Sequence, residues 1–370
     1  MRDLLRRSAL LAPLGALVGA GALVGAGWQV PTAIGGQPKG ARLERMRRSP
    51  HFRDGAFHNT ESAVVGAPSS GVLRDLVFGK EVRRPTRPVP LIGTPDFSTD
   101  VEGVRVSWLG HATVLVEVER KRFLFDPVWS DRVSPSPVFG PKRLHPVPWA
   151  LDDLPELDAV VISHDHYDHL DMTTIRRLAA RQPSLKFVVP LGVGAHLERW
   201  RVPEANIVEL DWEERATFDG VEVVATAARH FSGRLRPGGN GTLWASWVLA
   251  GKDRRVFYTG DSGYFAGYQR IGAEHGPFDV TLVQIGAYSP YWPDIHMTPE
   301  EGVATHRAVR GELLVPVHWA TFNLAMHSWS EPIERLLKDG DDIRIAVPKP
   351  GQALDVDEAP APDGWWRAVA

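Results

Sequence analysis

Four side chains able to bind a metal fall within six positions of the segment Ile-Ser-His-Asp-His-Tyr-Asp-His-Leu-Asp (162–171): His164, His166, Asp168 and His169. The segment continues an apolar run, Ala159, Val160, Val161 and Ile162, whose β-branched content and abrupt polar end describe a buried strand entering a loop. Alternate residues of an extended or turning loop point the same way. His164 and His166 can therefore converge on one cation while Asp168 and His169 aim beside it. Imidazole nitrogen and carboxylate oxygen suit zinc and also accept iron or manganese. The loop offers part of each of two metal sites, at the strand end where open sheets place their chemistry. A solvated histidine-rich turn is the plain alternative; it leaves the density of ligand types unexplained.

A site split in this way needs partners from later strands. His230 follows the apolar run 221–225, Asp261 the run 256–258, and His318 the run 313–317. Gly260 and Gly263 flank Asp261 and let the backbone carry its carboxylate close to a cation. His296 precedes a helix that Thr298 can cap and Pro299 can begin. Singly, each is more simply a hydrogen-bonded surface residue; their succession after the first loop is what marks them. His51, His58, His111, His145, His196, His275, His306 and His327 lack that context and read as structural or solvent-facing.

These residues have to be positioned by regular elements. Periodicity predicts strands over 104–108, 113–118 and 123–125, then helices over 172–181 and 193–201 separated by a strand at 187–189. Further strands are predicted at 206–210, 221–225, 243–250, 256–258, 280–285, 313–317 and 343–347, with helices at 265–274, 299–309 and 331–338. Two rounds of sheet formation, each followed by helices, predict an α/β architecture of two sheets packed face to face with helices outside. The proline-rich loop 128–148 is long enough to wall a pocket.

The amino terminus is a separate matter. A basic head, residues 1–7, precedes an uncharged apolar stretch from Ser8 to Trp28, so 1–28 reads as a signal peptide or membrane anchor. Val24-Gly25-Ala26 offers a cleavage site, and Arg6-Arg7 a loose twin-arginine pattern. Export, or anchoring on the periplasmic or cell-envelope side of a bacterium, is the corresponding expectation. Residues 29–100, rich in proline, glycine and arginine, predict a linker and an arm that packs on a single large domain at 101–350, with 351–370 as a tail. The chain has no cysteine, which removes disulfides, thiolate nucleophiles and thiolate-bound zinc. A net charge of −3 provides no basic surplus for a nucleic acid. Thirteen tryptophans, among them Trp129, Trp149, Trp292 and Trp319 in loops, suit a lipid–water boundary, although core burial is their commoner use.

The His-x-His-x-Asp-His pattern at 164–169 resembles the metallo-β-lactamase superfamily. W-L-G-H-A-T (108–113), D-P-V-W-S-D-R-V-S-P-S-P-V-F-G-P-K-R (126–143), Y-T-G-D-S-G-Y and V-H-W-A-T-F resemble its N-acyl-phosphatidylethanolamine-hydrolysing phospholipase D branch, in collinear order over roughly residues 100–350. The resemblance implies an αββα sandwich with a dinuclear site at one edge of the two sheets. One divalent cation, zinc first and iron or manganese next, would be held by His164, His166 and His230, and a second by Asp168, His169 and His318. Asp261 would bridge them, His296 would face the reaction centre without being a ligand, and Asp126 would orient the histidine loop. A hydroxide bridging cations ~3.5–4 Å apart would attack a phosphodiester phosphorus, with His296 stabilising charge or protonating the leaving alkoxide. The implied substrates are N-acyl-phosphatidylethanolamine-like phospholipids or other small phosphodiesters at a membrane surface. A metal-dependent lactonase or ester hydrolase is the alternative, because the same centre polarises carbonyls. The arm and residues 290–295 depart from the branch pattern and leave lipid preference open.

Overall fold

The computed structural model describes residues 30–66, 71, 74, 75, 78–234 and 239–370. The segment 1–28, and its reading as signal or anchor, lies outside them. Among the described residues no helix is long and apolar enough to cross a membrane.

Short elements open the chain: helix α1 (Gly40–Arg48) and a hairpin of β1 (Phe52–Arg53) and β2 (Ala56–Phe57). The first large sheet collects β3 (Val104–Trp108), β4 (Val114–Val118), β5 (Lys121–Phe125), β6 (Ala159–Val161), β7 (Lys186–Pro190) and β8 (Ile207–Leu210). The second collects β9 (Arg215–Phe218), β10 (Val221–Thr226), β11 (Ser246–Ala250), β12 (Arg255–Tyr258), β13 (Phe278–Gln284), β14 (Gly311–Val317) and β15 (Arg344–Ile345). A last strand, β16 (Ala353–Asp355), returns to the first sheet and pairs antiparallel with β3, giving seven strands in each. The helices are α2 (Met172–Arg181), α3 (Gly194–Arg199), α4 (Gly267–His275), α5 (Pro299–Ala308) and α6 (Glu331–Asp339).

Alternation along the strands gives the layers. In β4, Val114, Val116 and Val118 join a core shared with Val223, Val248 and Leu282 of the second sheet. Leu115, between them, joins Ile175 and Leu178 of α2 and Leu197 of α3 on the opposite face. One strand thus feeds the sheet–sheet core and the sheet–helix core. Each fully buried aliphatic side chain contributes roughly 1.5–3 kcal/mol to holding these layers.

Parallel pairing then aligns the strand ends. β5 to β8 are parallel neighbours, as are β12 to β15, and β10 runs in the direction of β12 because both oppose β11. The carboxyl ends of β5, β6, β10, β12 and β14 therefore face one edge of the sandwich, and the loops leaving them carry Asp126, the 164–169 cluster, His230, Asp261 and His318.

Four strands have no counterpart in the sequence reading: β1 and β2, in the stretch read as linker and arm, and later β9 and β16. β9 is largely exposed and too short for a periodic signal. β16 lies within the stretch read as a tail; only Leu354 of its three residues is buried, and beyond it Trp365 and Trp366 are buried too. Trp149 and Trp319, two of the loop tryptophans considered for a lipid boundary, are core residues, Trp319 stacking on Trp108 at 5.7 Å between ring centroids.

Candidate metal centre

The histidine loop is held from below by one buried carboxylate. Asp126, at the end of β5, accepts hydrogen bonds from the Ser163 backbone N–H (2.7 Å), the Ser163 hydroxyl (2.5 Å), the Tyr258 hydroxyl (2.6 Å) and His169 Nδ1 (2.7 Å). Its position beneath the loop matches the orienting part implied by the resemblance. Because His169 donates through Nδ1, its Nε2 keeps a lone pair aimed into the site, buried and without a hydrogen-bond partner. The loop then turns into α2, whose N-cap Asp171 accepts from the backbone N–H groups of Thr173 and Thr174.

His164, His166 and His230 form the first group. His164 Nε2 lies 2.8 Å and His230 Nε2 3.3 Å from His166 Nδ1. His230 donates through Nδ1 to the Ile295 carbonyl (2.9 Å), so its Nε2 is a free lone pair. Convergent imidazole nitrogens at this spacing suit a cation between them. Burial, with His169, His166 and His230 close by, holds the His164 imidazole well below its ordinary range, and the neutral form is the one that ligates.

Asp168, His169 and His318 form the second group, and His111 belongs with them. Asp168 Oδ2 is 2.8 Å from His111 Nε2, 3.3 Å from His318 Nε2 and 3.4 Å from His169 Nε2. Against the opposing cost of burial, His169, His111 and His318 hold the Asp168 carboxyl well below the usual carboxylate range. His111 is 1% exposed. It reads in the sequence as structural or solvent-facing; in the structure it is buried against the Asp168 carboxylate rather than facing solvent. Two signals were available: its place after a predicted strand, immediately following Gly110, and its position inside the W-L-G-H-A-T motif (108–113).

Asp261 lies between the groups. Its Oδ2 is 3.1 Å from His169 Nε2 and His318 Nε2, and 4.0 Å from His164 Nε2 and His230 Nε2. Its Oδ1 is buried and has no hydrogen-bond partner. Gly260 has φ +56°, and a Cβ there would come within 2.7 Å of Ser163 Cβ; a Cβ on Gly263 would sit 1.9 Å from the Asp294 carbonyl oxygen. Only glycine brings this loop so close. His296 Nδ1 stands 3.8 Å from Asp261 Oδ2, and burial, partly offset by Asp261, lowers its pKa to about 4. Its loop ends on the Thr298–Glu301 capping box at the start of α5.

The donor set fits divalent cations: imidazole nitrogens converge on the pocket, ionised carboxylates lie between them, and several buried polar atoms have no protein partner. Against the cost of burial, Asp261 and Asp168 raise the pKa of the His169 and His318 imidazoles, so a cation would bind there by displacing protons. The structure brings together all seven residues singled out as ligands and sets His296 beside them.

Sequence reasoning missed the contribution of the amino-terminal arm. Asn59 donates to the His230 carbonyl (2.8 Å) and accepts from the His230 backbone N–H (3.0 Å) and Trp244 Nε1 (3.0 Å). The arm continues past the site, where the Val64 N–H donates to Asp294 (2.8 Å) and Arg229 holds the Ser62 carbonyl. Val65 from this arm, with Phe231, Trp292, Ile295 and Leu324, lines a cavity of about 230 Å3 whose floor is His166, Asp168, Asp261 and His296.

A family model described as a beta-lactamase superfamily domain matches residues 121–319. An uncharacterized protein of Mycobacterium tuberculosis is 49% identical over 346 residues, 91% of this chain and 92% of that protein. The N-acyl-phosphatidylethanolamine-hydrolyzing phospholipase D 1 of Caenorhabditis elegans is 37% identical over 277 residues, 71% of this chain and 76% of that protein. Among solved structures, a possible metal-dependent hydrolase from Veillonella parvula superposes with a TM-score of 0.56 at 19% identity, over 68% of this chain and 99% of that one. An isothiocyanate hydrolase from Delia radicum gut bacteria superposes with a TM-score of 0.54 at 18% identity, over 68% and 98% of the two chains. At those identities the likeness is one of fold.

Proposed function

The chain belongs to the N-acyl-phosphatidylethanolamine-hydrolysing phospholipase D-like branch of the metallo-β-lactamase superfamily, a family of metal-dependent hydrolases, and from that premise we propose that it is a dinuclear phosphodiesterase of phospholipase D type. The observation that carries the reading is the position of Asp261, within 4.0 Å of nitrogens in both ligand groups. His164, His166 and His230 would hold one cation, Asp168, His169 and His318 the other, and Asp261 would contact both. When bound, a pair of zinc, iron or manganese ions supplies Lewis acidity and lowers the pKa of water into the neutral range.

The protein's own groups do the rest. Asp126 keeps the His169 tautomer that points Nε2 inward, and the Ile295 carbonyl does the same for His230. His296 faces the cavity beside Asp261, where it can donate to charge developing on a phosphoryl oxygen or protonate the leaving alkoxide. Val65, Phe231, Trp292, Ile295 and Leu324 give the cavity apolar walls suited to the glycerolipid part of an N-acyl-phosphatidylethanolamine-like substrate. Approach to a membrane is supported by exposed apolar side chains on the arm and the proline-rich loop, Val64, Phe78, Val138 and Phe139. An exported or anchored location is proposed on the basic and apolar character of residues 1–28.

The test combines metal analysis with hydrolysis of a fluorescent N-acyl-phosphatidylethanolamine by the wild-type protein and its Asp261→Asn variant. The expected result is two cations per chain and metal-dependent release of phosphatidic acid, both impaired by the substitution. Two cations without lipid cleavage would favour the ester or lactone hydrolase reading of the same centre.

A further inference from the structure

His111 has more structure invested in it than a core histidine needs. It follows Gly110 at the end of β3 and adopts φ +53°, a left-handed conformation that costs energy outside glycine. Three contacts fix its backbone: its N–H donates to Thr321 Oγ1 (2.7 Å), and its carbonyl accepts from Trp108 Nε1 (2.8 Å) and the His318 N–H (2.8 Å). The ring is clamped between His318, 3.9 Å away by centroids, and Phe322 at 5.1 Å. Everything about this placement delivers one nitrogen, Nε2, to Asp168 Oδ2 at 2.8 Å.

The tautomer follows from the surroundings of the other nitrogen. His111 Nδ1 is buried without a partner. If the proton were there, a buried donor would be orphaned while Nε2 turned a lone pair toward a carboxylate. With the proton on Nε2, the ring donates to Asp168, and Nδ1 is an unpaired acceptor, the lesser cost.

We infer that His111 is a positioning residue for the second ligand group: its Nε2–H donates to Asp168 and fixes the carboxylate orientation that this group requires. The inference rests on the two-cation reading above. It lies outside the stretch matched by the family model, which begins at residue 121. Asp126, itself held by Tyr258 and Ser163, steers His169, and His111 steers Asp168, so these two members of the group each have an outer partner.

The experiment uses the full chain, stripped of metal, and titrates zinc against a chromophoric chelator for the wild type and the variants His111→Phe, His111→Gln and His111→Asn. The side-chain amide nitrogen of glutamine falls close to the Nε2 position, that of asparagine close to Nδ1. The expected result is two cations in the wild type, a weaker site in the Phe and Asn variants by about 10–100-fold, and recovery in the Gln variant with the other site unchanged. Equal loss in the Gln and Asn variants would overturn the donor assignment, since a ligating nitrogen is not replaced by an amide. Unchanged affinity in all three would overturn any role for His111. Fewer than two cations in the wild type would overturn the two-cation reading itself, and this inference with it. The Gln and Asn pair keeps the comparison decisive if the Phe variant does not fold.

Discussion

The two ligand groups sit side by side but are held by different parts of the molecule. The first, His164, His166 and His230, contains no carboxylate, and its late member is steadied by Asn59 from the arm and by the Ile295 carbonyl. The second, Asp168, His169 and His318, rests on groups of the sandwich itself: Asp126, Ser163 and Tyr258 below and His111 at the side. Both halves share the loop after β6, where Ser163 also bonds His164 (2.9 Å), but only the first adds a clamp from a segment that wraps the domain from outside. The two groups can therefore be disturbed unequally, which is the opening for testing the assignment.

Asp261→Asn should break the distinction altogether, because Asp261 approaches both groups. Activity should fall by at least about 100-fold, more than is typical for an outer partner. Metal analysis should show occupancy reduced; full activity with two cations retained would remove Asp261 from the centre. Asp126→Ala should act unequally. Zinc affinity of the group containing His169, which bonds Asp126 directly, should fall roughly 10–100-fold, and the His164, His166 and His230 group should weaken less, through Ser163, whose hydroxyl lies 2.9 Å from His164 Nδ1; equal weakening of both would contradict the difference.

Asn59→Ala is the mirror experiment. It removes a two-way clamp on the His230 backbone, so the first group should weaken by up to about 10-fold. Loss of hydrogen bonds at about 1 kcal/mol each should also lower the melting temperature. A change confined to the second group would show that the arm acts some other way. Trp292→Ala should leave both groups alone: it trims the cavity wall, and a several-fold rise in KM for lipid with unaltered zinc titration is expected. An altered titration would tie that wall to the metal centre instead.

The candidate ligands were legible because they sit at the ends of apolar runs long enough to register as strands, and because the 164–169 cluster packs several ligand types into one turn. His111 was not, since a single histidine after Trp108, Leu109 and Gly110 looks like any strand terminus until β14 brings His318 onto it. Asn59 carries no metal chemistry and meets His230 across 171 positions, a pairing no local pattern encodes. β16 is three residues long with one side chain turned inward, below what periodicity resolves.

That last strand has a consequence for how the protein is made. Arg105 on β3 and Asp355 on β16 pair across 250 positions, so β3 stays unpaired on one side until those 250 residues have followed it out of the ribosome. At about 5–20 residues per second that interval lasts roughly 10–50 s, a window in which the edge is free to recruit chaperones or other nascent chains. A nonsense change just after Gly351 would spare every ligand of the centre. It would still release a polypeptide with β3 unpaired and Trp319, the neighbour of His318, stripped of Trp365 and Trp366, and quality control would meet it before any substrate did.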